Sequence, residues 1–185
     1  SWIENRTIIF VDSRKHSSDN LISGRWVLTF KKDKQGNILN CKARWVARGF
    51  LDQQKYDLQT DSPTATRFGF RMSCQLAASN FWDIAHVDLK TAFLQGEDFD
   101  PVRSVFVKLP PDLGLPPWLV GQCIRPVYGL NDAPRRWWNR LDKSLRSWGF
   151  EPTRADRCTY VLYEGAWMKP TKALPKRDSP ESKRD

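Results

Sequence analysis

Hydrophobic and polar positions alternate most clearly between Arg25 and Arg48. Trp26, Leu28 and Phe30 alternate with Val27, Thr29 and Lys31, the period-two pattern of a half-buried strand. Asp33-Lys34-Gln35-Gly36-Asn37 is a cluster of turn residues. A second strand from Ile38 to Arg48 completes a predicted β-hairpin, and Lys31, Lys32 and Lys34 make its tip basic. The period then lengthens. Phe68, Met72 and Leu76 stand four apart, which predicts a helix over Thr66 to Ser79. Phe81 to Val87 reads as a buried strand leading to Asp88. Short strands are predicted at Ser104 to Leu109, Cys123 to Val127 and Thr159 to Tyr163, with Ile8 to Val11 a further candidate. Pro110, Pro111, Pro116 and Pro117 mark a loop. Ala133 to Trp148 is the strongest helix: Trp137, Leu141 and Leu145 form one stripe, and Gly149 fits the left-handed position after the last turn. Strands and helices interleave with hairpins, so the expected class is α+β.

Composition narrows the picture modestly. A chain of 185 residues holds one domain, with room for a tail, and its nine Trp and ten Phe offer large areas to bury. A net charge of +9 favours a polyanionic partner such as nucleic acid, although a merely basic surface has the same signature. Cys41, Cys74, Cys123 and Cys158 lie far apart, without a Cys-x-x-Cys pair or a neighbouring His16 or His86. That argues against zinc and for free thiols in a reducing compartment. No apolar run approaches the ~20 residues of a membrane span. The expected location is intracellular, cytoplasmic or nuclear, with no membrane partner. The first residue is Ser rather than Met, which suggests a fragment or processed product. Lys169 to Asp185 is rich in Pro, Lys, Arg and Ser and is expected to be disordered.

Three segments carry candidate chemistry. On a strand, Lys42, Arg44, Val46 and Arg48 share one face, while Ala43, Trp45 and Ala47 share the other. Three cations over a packed Trp suit a triphosphate or a nucleic-acid backbone; the plainer alternative is a solvated strand face. Asp88, with Phe93 five residues later, has the makings of a metal ligand beside an aromatic wall for a sugar. The plainer alternative is an N-cap acid and a core Phe. Tyr128-Gly129-Leu130-Asn131-Asp132-Ala133-Pro134 leads into the Trp-rich helix. Gly129 would permit close approach of a ligand, and Pro134 suits a first helical turn. No Asp-Asp pair occurs anywhere in the chain.

Taken in order, these segments resemble the reverse transcriptase domain of copia-type retrotransposon polyproteins. The words that carry the resemblance are Gly24-Arg25-Trp26-Val27, Lys31-Lys32-Asp33 with Gly36-Asn37-Ile38, and Lys42-Ala43-Arg44-Trp45-Val46-Ala47-Arg48-Gly49-Phe50. They continue with Ser62-Pro63, Val87-Asp88-Leu89-Lys90-Thr91-Ala92-Phe93-Leu94-Gln95-Gly96, and Tyr128-Gly129-Leu130 with Ala133-Pro134-Arg135. Leu141, Gly149-Phe150 and Ala155-Asp156 with Cys158 extend them, so the likeness runs from Leu21 to Tyr163. Collinear words of this kind are far more specific than a lone motif.

The resemblance implies part of a right-hand polymerase. The hairpin would be the fingers, and an antiparallel sheet with packed helices a partial palm. It divides the chain into a lead-in over 1–23, the reverse transcriptase domain over 24–165 and a basic tail over 166–185. It assigns Lys42, Arg44 and Arg48 to the incoming triphosphate. Asp88 and the Leu89 carbonyl would hold Mg²⁺. Thr91 and Ala92 would approach the triphosphate through their amides, and Phe93 would exclude a 2′-hydroxyl. Tyr128, Gly129 and Pro134 would contact the nascent base pair and template. The implied partners are an RNA or DNA template-primer and deoxynucleoside triphosphates.

Two departures modify this. The family's Tyr-x-Asp-Asp hairpin is expected soon after Tyr160-Val161-Leu162-Tyr163, where this chain turns into Gly165-Ala166-Trp167. Asn131-Asp132 replaces the Lys-Gln usual before Ala-Pro, placing an acid near a polyanionic template. Asp88 alone cannot hold two Mg²⁺ ions against a triphosphate, so the chain is expected to be incomplete, without thumb, connection or ribonuclease H parts, and inactive by itself. The alternatives are a non-catalytic nucleic-acid-binding remnant and an unstable pseudogene product. Ribonuclease H or integrase chemistry is less well supported, because Asp98, Asp100 and Asp156 are expected on solvated loops.

Overall fold

The computed structural model describes residues 1–16 and 20–163. Among these residues the architecture is mixed α+β, with two α-helices and small sheets. The alternating pattern after residue 24 becomes a long hairpin, β3 (Gly24–Lys32) against β4 (Ile38–Ala47), in antiparallel register with Arg25 opposite Val46 and Thr29 opposite Lys42. The turn closes as its residues predict. The Asp33 carboxylate accepts from the Gln35 and Asn37 amides at 2.9 and 2.8 Å, and Gly36 takes a φ of 92°.

Beside the hairpin lies a four-stranded sheet in the order β1-β6-β5-β2. β1 (Ile8–Asp12) pairs antiparallel with β6 (Leu119–Cys123), and β6 pairs antiparallel with β5 (Phe106–Lys108). β2 (Leu21–Ile22) joins β5 in parallel, so the sheet is not wholly antiparallel as expected. The predicted strand over Cys123 to Val127 is displaced. Cys123 ends β6, and the amides of Ile124 and Arg125 both donate to the Thr7 carbonyl. Pro126 follows and has no amide to extend a ladder. The core gathers Ile22, Leu94, Val105, Val107, Val127 and Leu130, all nearly inaccessible.

Helix α1 (Arg67–Ser79) starts at Thr66, whose hydroxyl accepts from the Gly69 amide at 2.9 Å. Only Ala77 of this helix is buried, and the stripe that predicted it, Phe68, Met72 and Leu76, lies on the surface. Helix α2 (Ala133–Ser147) ends as predicted. Gly149 takes a φ of 89°, its amide donates to the Arg146 carbonyl, and the Phe150 amide donates to the Leu145 carbonyl, which is the double-bonded Schellman ending. A short pair, β7 (Glu151–Pro152) with β8 (Tyr160–Val161), follows. The expected disorder of Lys169 to Asp185 falls outside the described residues.

The strand predicted over Phe81 to Val87 does not form. Phe81 has a φ of 56° and is 95% exposed, and residues 82–87 run as exposed irregular chain. Alternation says which residues share a face, but a strand also needs a neighbour to take its amides and carbonyls. Among the described residues none is hydrogen-bonded alongside.

Candidate functional site

The hairpin carries the sequence's basic face into three dimensions. Lys42 and Arg44 are exposed on β4, paired with Thr29 and Val27, while Trp45 on the opposite parity is half-buried and Ala47 is buried. Trp45 meets Trp26 edge-on, with ring centroids 5.3 Å apart. Its indole N–H donates to the Lys108 carbonyl at 3.3 Å, while that of Trp26 donates to Asp112 at 3.1 Å. The apolar side of the hairpin base is thereby pinned against the end of β5 and the turn that follows it. Arg48 follows β4 at the head of a 3-10 turn, Gly49–Leu51, with its side chain exposed.

The hairpin base is tied to the loop before α2. The Ala47 amide donates to the Tyr128 carbonyl at 2.7 Å. Gly129 adopts a φ of 96°, and a Cβ there would lie 2.0 Å from the Ala47 carbonyl oxygen. Only glycine permits that approach. Tyr128 in turn meets Phe93 edge-to-face, centroids 6.4 Å apart. Phe93 sits on a 3-10 turn, Ala92–Gln95, introduced by Thr91 in the left-handed region at a φ of 53°. Pro134 lies in the first turn of α2, and its carbonyl accepts from the Ser62 hydroxyl at 3.2 Å. Arg48, Phe93, Tyr128 and Gly129 therefore gather around one hairpin base, while Pro134, at the start of α2, is held to Ser62.

Asp88 and Leu89 stand apart. Both are exposed on the irregular segment after α1, not at the end of a buried strand. Among the described residues Asp88 has no hydrogen-bond or ion-pair partner, and no group of three His, Cys, Asp or Glu side chains is placed to hold a metal. One carboxylate and one carbonyl do not fit the two-metal Mg²⁺ chemistry that the resemblance implies.

Two other acids are more buried than expected. Asp156 is 5% exposed, its carboxylate accepting from the Thr66 amide at 2.7 Å, the Thr66 hydroxyl at 2.9 Å and the Cys158 amide at 2.8 Å. These donors hold it below the usual carboxylate range. Asp132 heads α2 but makes no side-chain cap; it is buried and turned to Arg103 and Arg136, at 3.3 and 2.9 Å. Arg103 also grips the buried Asp52 through bonds of 2.5 and 3.0 Å. Burial alone would raise Asp52, but hydrogen bonds from Arg103 and Asn20 and the Arg103 charge outweigh it and hold the carboxyl below its ordinary value. Asp132 therefore does not face a template: its charge is spent inside the protein. The Arg136 contact follows from i,i+4 spacing, but nothing in the sequence signals the one to Arg103, which lies 29 residues away.

A profile of reverse transcriptase (RNA-dependent DNA polymerase) matches residues 5–168. The chain belongs to the reverse transcriptase family. Its relatives include the retrovirus-related Pol polyproteins from transposons RE2 and RE1 of Arabidopsis thaliana. RE2 is 32% identical over 152 residues, covering 80% of this chain and 10% of that protein. RE1 is 32% identical over 149 residues, covering 78% and 10%. The Pol polyprotein from transposon TNT 1-94 of Nicotiana tabacum is 31% identical over 139 residues, covering 74% and 10%. The chain thus aligns with about a tenth of the length of these Pol polyproteins. No solved structure matches it. No helix among the described residues is long and apolar enough to cross a membrane.

Proposed function

We propose that this chain contributes the fingers and part of the palm of a copia-type reverse transcriptase, and that alone it binds template-primer without extending it. The hairpin β3–β4 is the fingers element, residues 24–165 are the domain proper, and residues 166–185 are a basic tail. Lys42, Arg44 and Arg48 are the cations for triphosphate or strand phosphates. Thr91, Ala92 and Phe93 flank the nucleotide, and Tyr128, Gly129 and Pro134 the nascent pair. The observation that supports binding without turnover is the isolation of Asp88 among the described residues. Phosphoryl transfer depends on positioned charge at the metal ions, and one acid cannot supply it.

Primer extension by the purified 185-residue chain with Mg²⁺ and all four deoxynucleotides tests this directly. No incorporation is expected, alongside nucleic-acid affinity that falls linearly with the logarithm of salt concentration. Metal-dependent incorporation would overturn the reading.

A further inference from the structure

A cleft of about 510 Å³ opens where the hairpin base meets the loop before α2. Its lining includes Arg25, Arg48, Gly49, Phe50, Gly129 and Asn131, and no carboxylate. Among the described residues, six arginines, 14, 103, 125, 135, 136 and 146, are paired to acids. Arg25 and Arg48 are not: both are exposed, and neither guanidinium has a hydrogen-bond or ion-pair partner among the described residues. Two unneutralised cations lining one concavity favour an anion there. The register explains their meeting. Arg25 lies opposite Val46, so it shares the strand face of Arg44 and Val46, which Arg48 continues. The Arg48 amide donates to the Ser23 carbonyl at 2.8 Å, fixing this end of the ladder. The floor is rigid too. A Cβ on Gly49 would lie 2.2 Å from the Gly129 carbonyl oxygen, so the two backbones already touch. Phe50, 62% exposed, adds a flat apolar wall.

We propose that this cleft is a phosphate-binding site for a nucleotide or a nucleic-acid strand, with Arg25 as its second cation beside Arg48 and Asn131 setting its charge. The proposal rests on the reading of the hairpin as a phosphate-facing element, and it adds Arg25, Asn131 and Phe50 to that surface. Phosphate satisfies both guanidiniums, whose fork geometry suits its oxygens. The Phe50 wall favours a phosphate that carries a base or sugar over the bare ion. Asn131 is uncharged, so a Lys in its place would add a third cation to the cleft.

The test is fluorescence anisotropy of a labelled 20-nucleotide oligo-dT with the full chain across a salt series. The variants are Arg25→Gln, Arg48→Gln and Asn131→Lys, with Lys15→Gln as a control outside the cleft. Arg25→Gln is expected to weaken binding several-fold and reduce the salt slope by about 0.7, the value for one single-strand phosphate contact. Asn131→Lys should tighten binding and steepen the slope, a gain that misfolding cannot mimic. Lys15→Gln should have the smallest effect. Competition by dTTP would identify a triphosphate site, and competition by unlabelled oligonucleotide alone a strand site; either supports the proposal. If only Arg48→Gln alters binding, the cleft is wrong and the hairpin reading stands. If no variant matters, or the chain does not bind, both fail.

Discussion

Arg103 and Arg48 bear the same guanidinium in opposite electrical surroundings. Arg103 is 6% exposed and gripped by Asp52 and Asp132, with Arg136 sharing the second acid and Phe99 lying under both guanidiniums at 5.2 and 4.7 Å. Arg48, with Arg25, faces an open cleft that contains no acid. The first cluster joins three stretches of chain distant in sequence, at residues 52, 103 and 132, and its charges cancel internally. The second leaves its charge for something outside the molecule. A basic sequence does not by itself distinguish these uses of arginine. The difference lies in which carboxylates the fold brings near, and it separates holding the site in place from presenting it.

The comparison is broken most severely at Arg103. Arg103→Met leaves Asp52 and Asp132 buried with much of their compensation gone, and stranding a buried charge costs about 3–5 kcal/mol. Urea unfolding followed by tryptophan fluorescence should show a lower midpoint or loss of a cooperative transition. A change below about 1 kcal/mol would mean that the cluster is hydrated and contributes little.

Acid offers a second way in. Asp52 is held below its ordinary range, so the folded state binds its proton less readily than the unfolded chain does. Its stabilising contribution is complete above the unfolded value of about 3.9 and is lost as pH falls through the lower folded value. Thermal melts between pH 6 and pH 3 should therefore show stability dropping below about pH 4, and Asp52→Asn should flatten that drop. An equally steep drop in the variant would assign the acid sensitivity to other carboxylates.

The two regions were unequally readable in the sequence. The basic face of β4 follows from strand parity, and the ending of α2 from a glycine one place past its last turn, because both depend on near neighbours. Arg25 was within reach as well, but only by carrying parity across the hairpin turn to know that it opposes Val46. The Asp132–Arg103 pair was not, since nothing local tells an acid already within reach of Arg136 on its own helix to bind an arginine in another segment as well. The segment 81–87 failed for a related reason: its alternation is real, but a strand is a property of two segments, and only one is there among the described residues.

A buried acid neutralised without arginine sharpens the contrast. Asp156 is compensated by two backbone amides and the Thr66 hydroxyl at the start of α1. Thr66→Ala removes that hydroxyl bond together with the cap to the Gly69 amide, a loss of about 1 kcal/mol by the usual worth of an N-cap. Circular dichroism should show lower helix content or a lower melting temperature. No change would mean that the Thr66 and Cys158 amides suffice to hold Asp156 and that α1 does not depend on its cap.

The smallest expected effect is the most telling for the open cleft. If Arg25 and Arg48 have no internal partners, removing their charge should leave the fold almost untouched. Arg25→Gln and Arg48→Gln should each shift stability by less than about 0.5 kcal/mol, the range of surface substitutions away from special features. Their sign adds information. Two like charges lining one cleft repel, so the variants are expected to be neutral or slightly stabilised in low salt, with the difference shrinking as salt screens the pair. Matched urea melts at about 20 and 500 mM salt would measure it. Stabilisation at low salt that vanishes at high salt would mark the cleft as a place where charge is kept at a cost to the fold. Clear destabilisation would show instead that these arginines hold the hairpin to its neighbours, and the contrast with Arg103 would collapse.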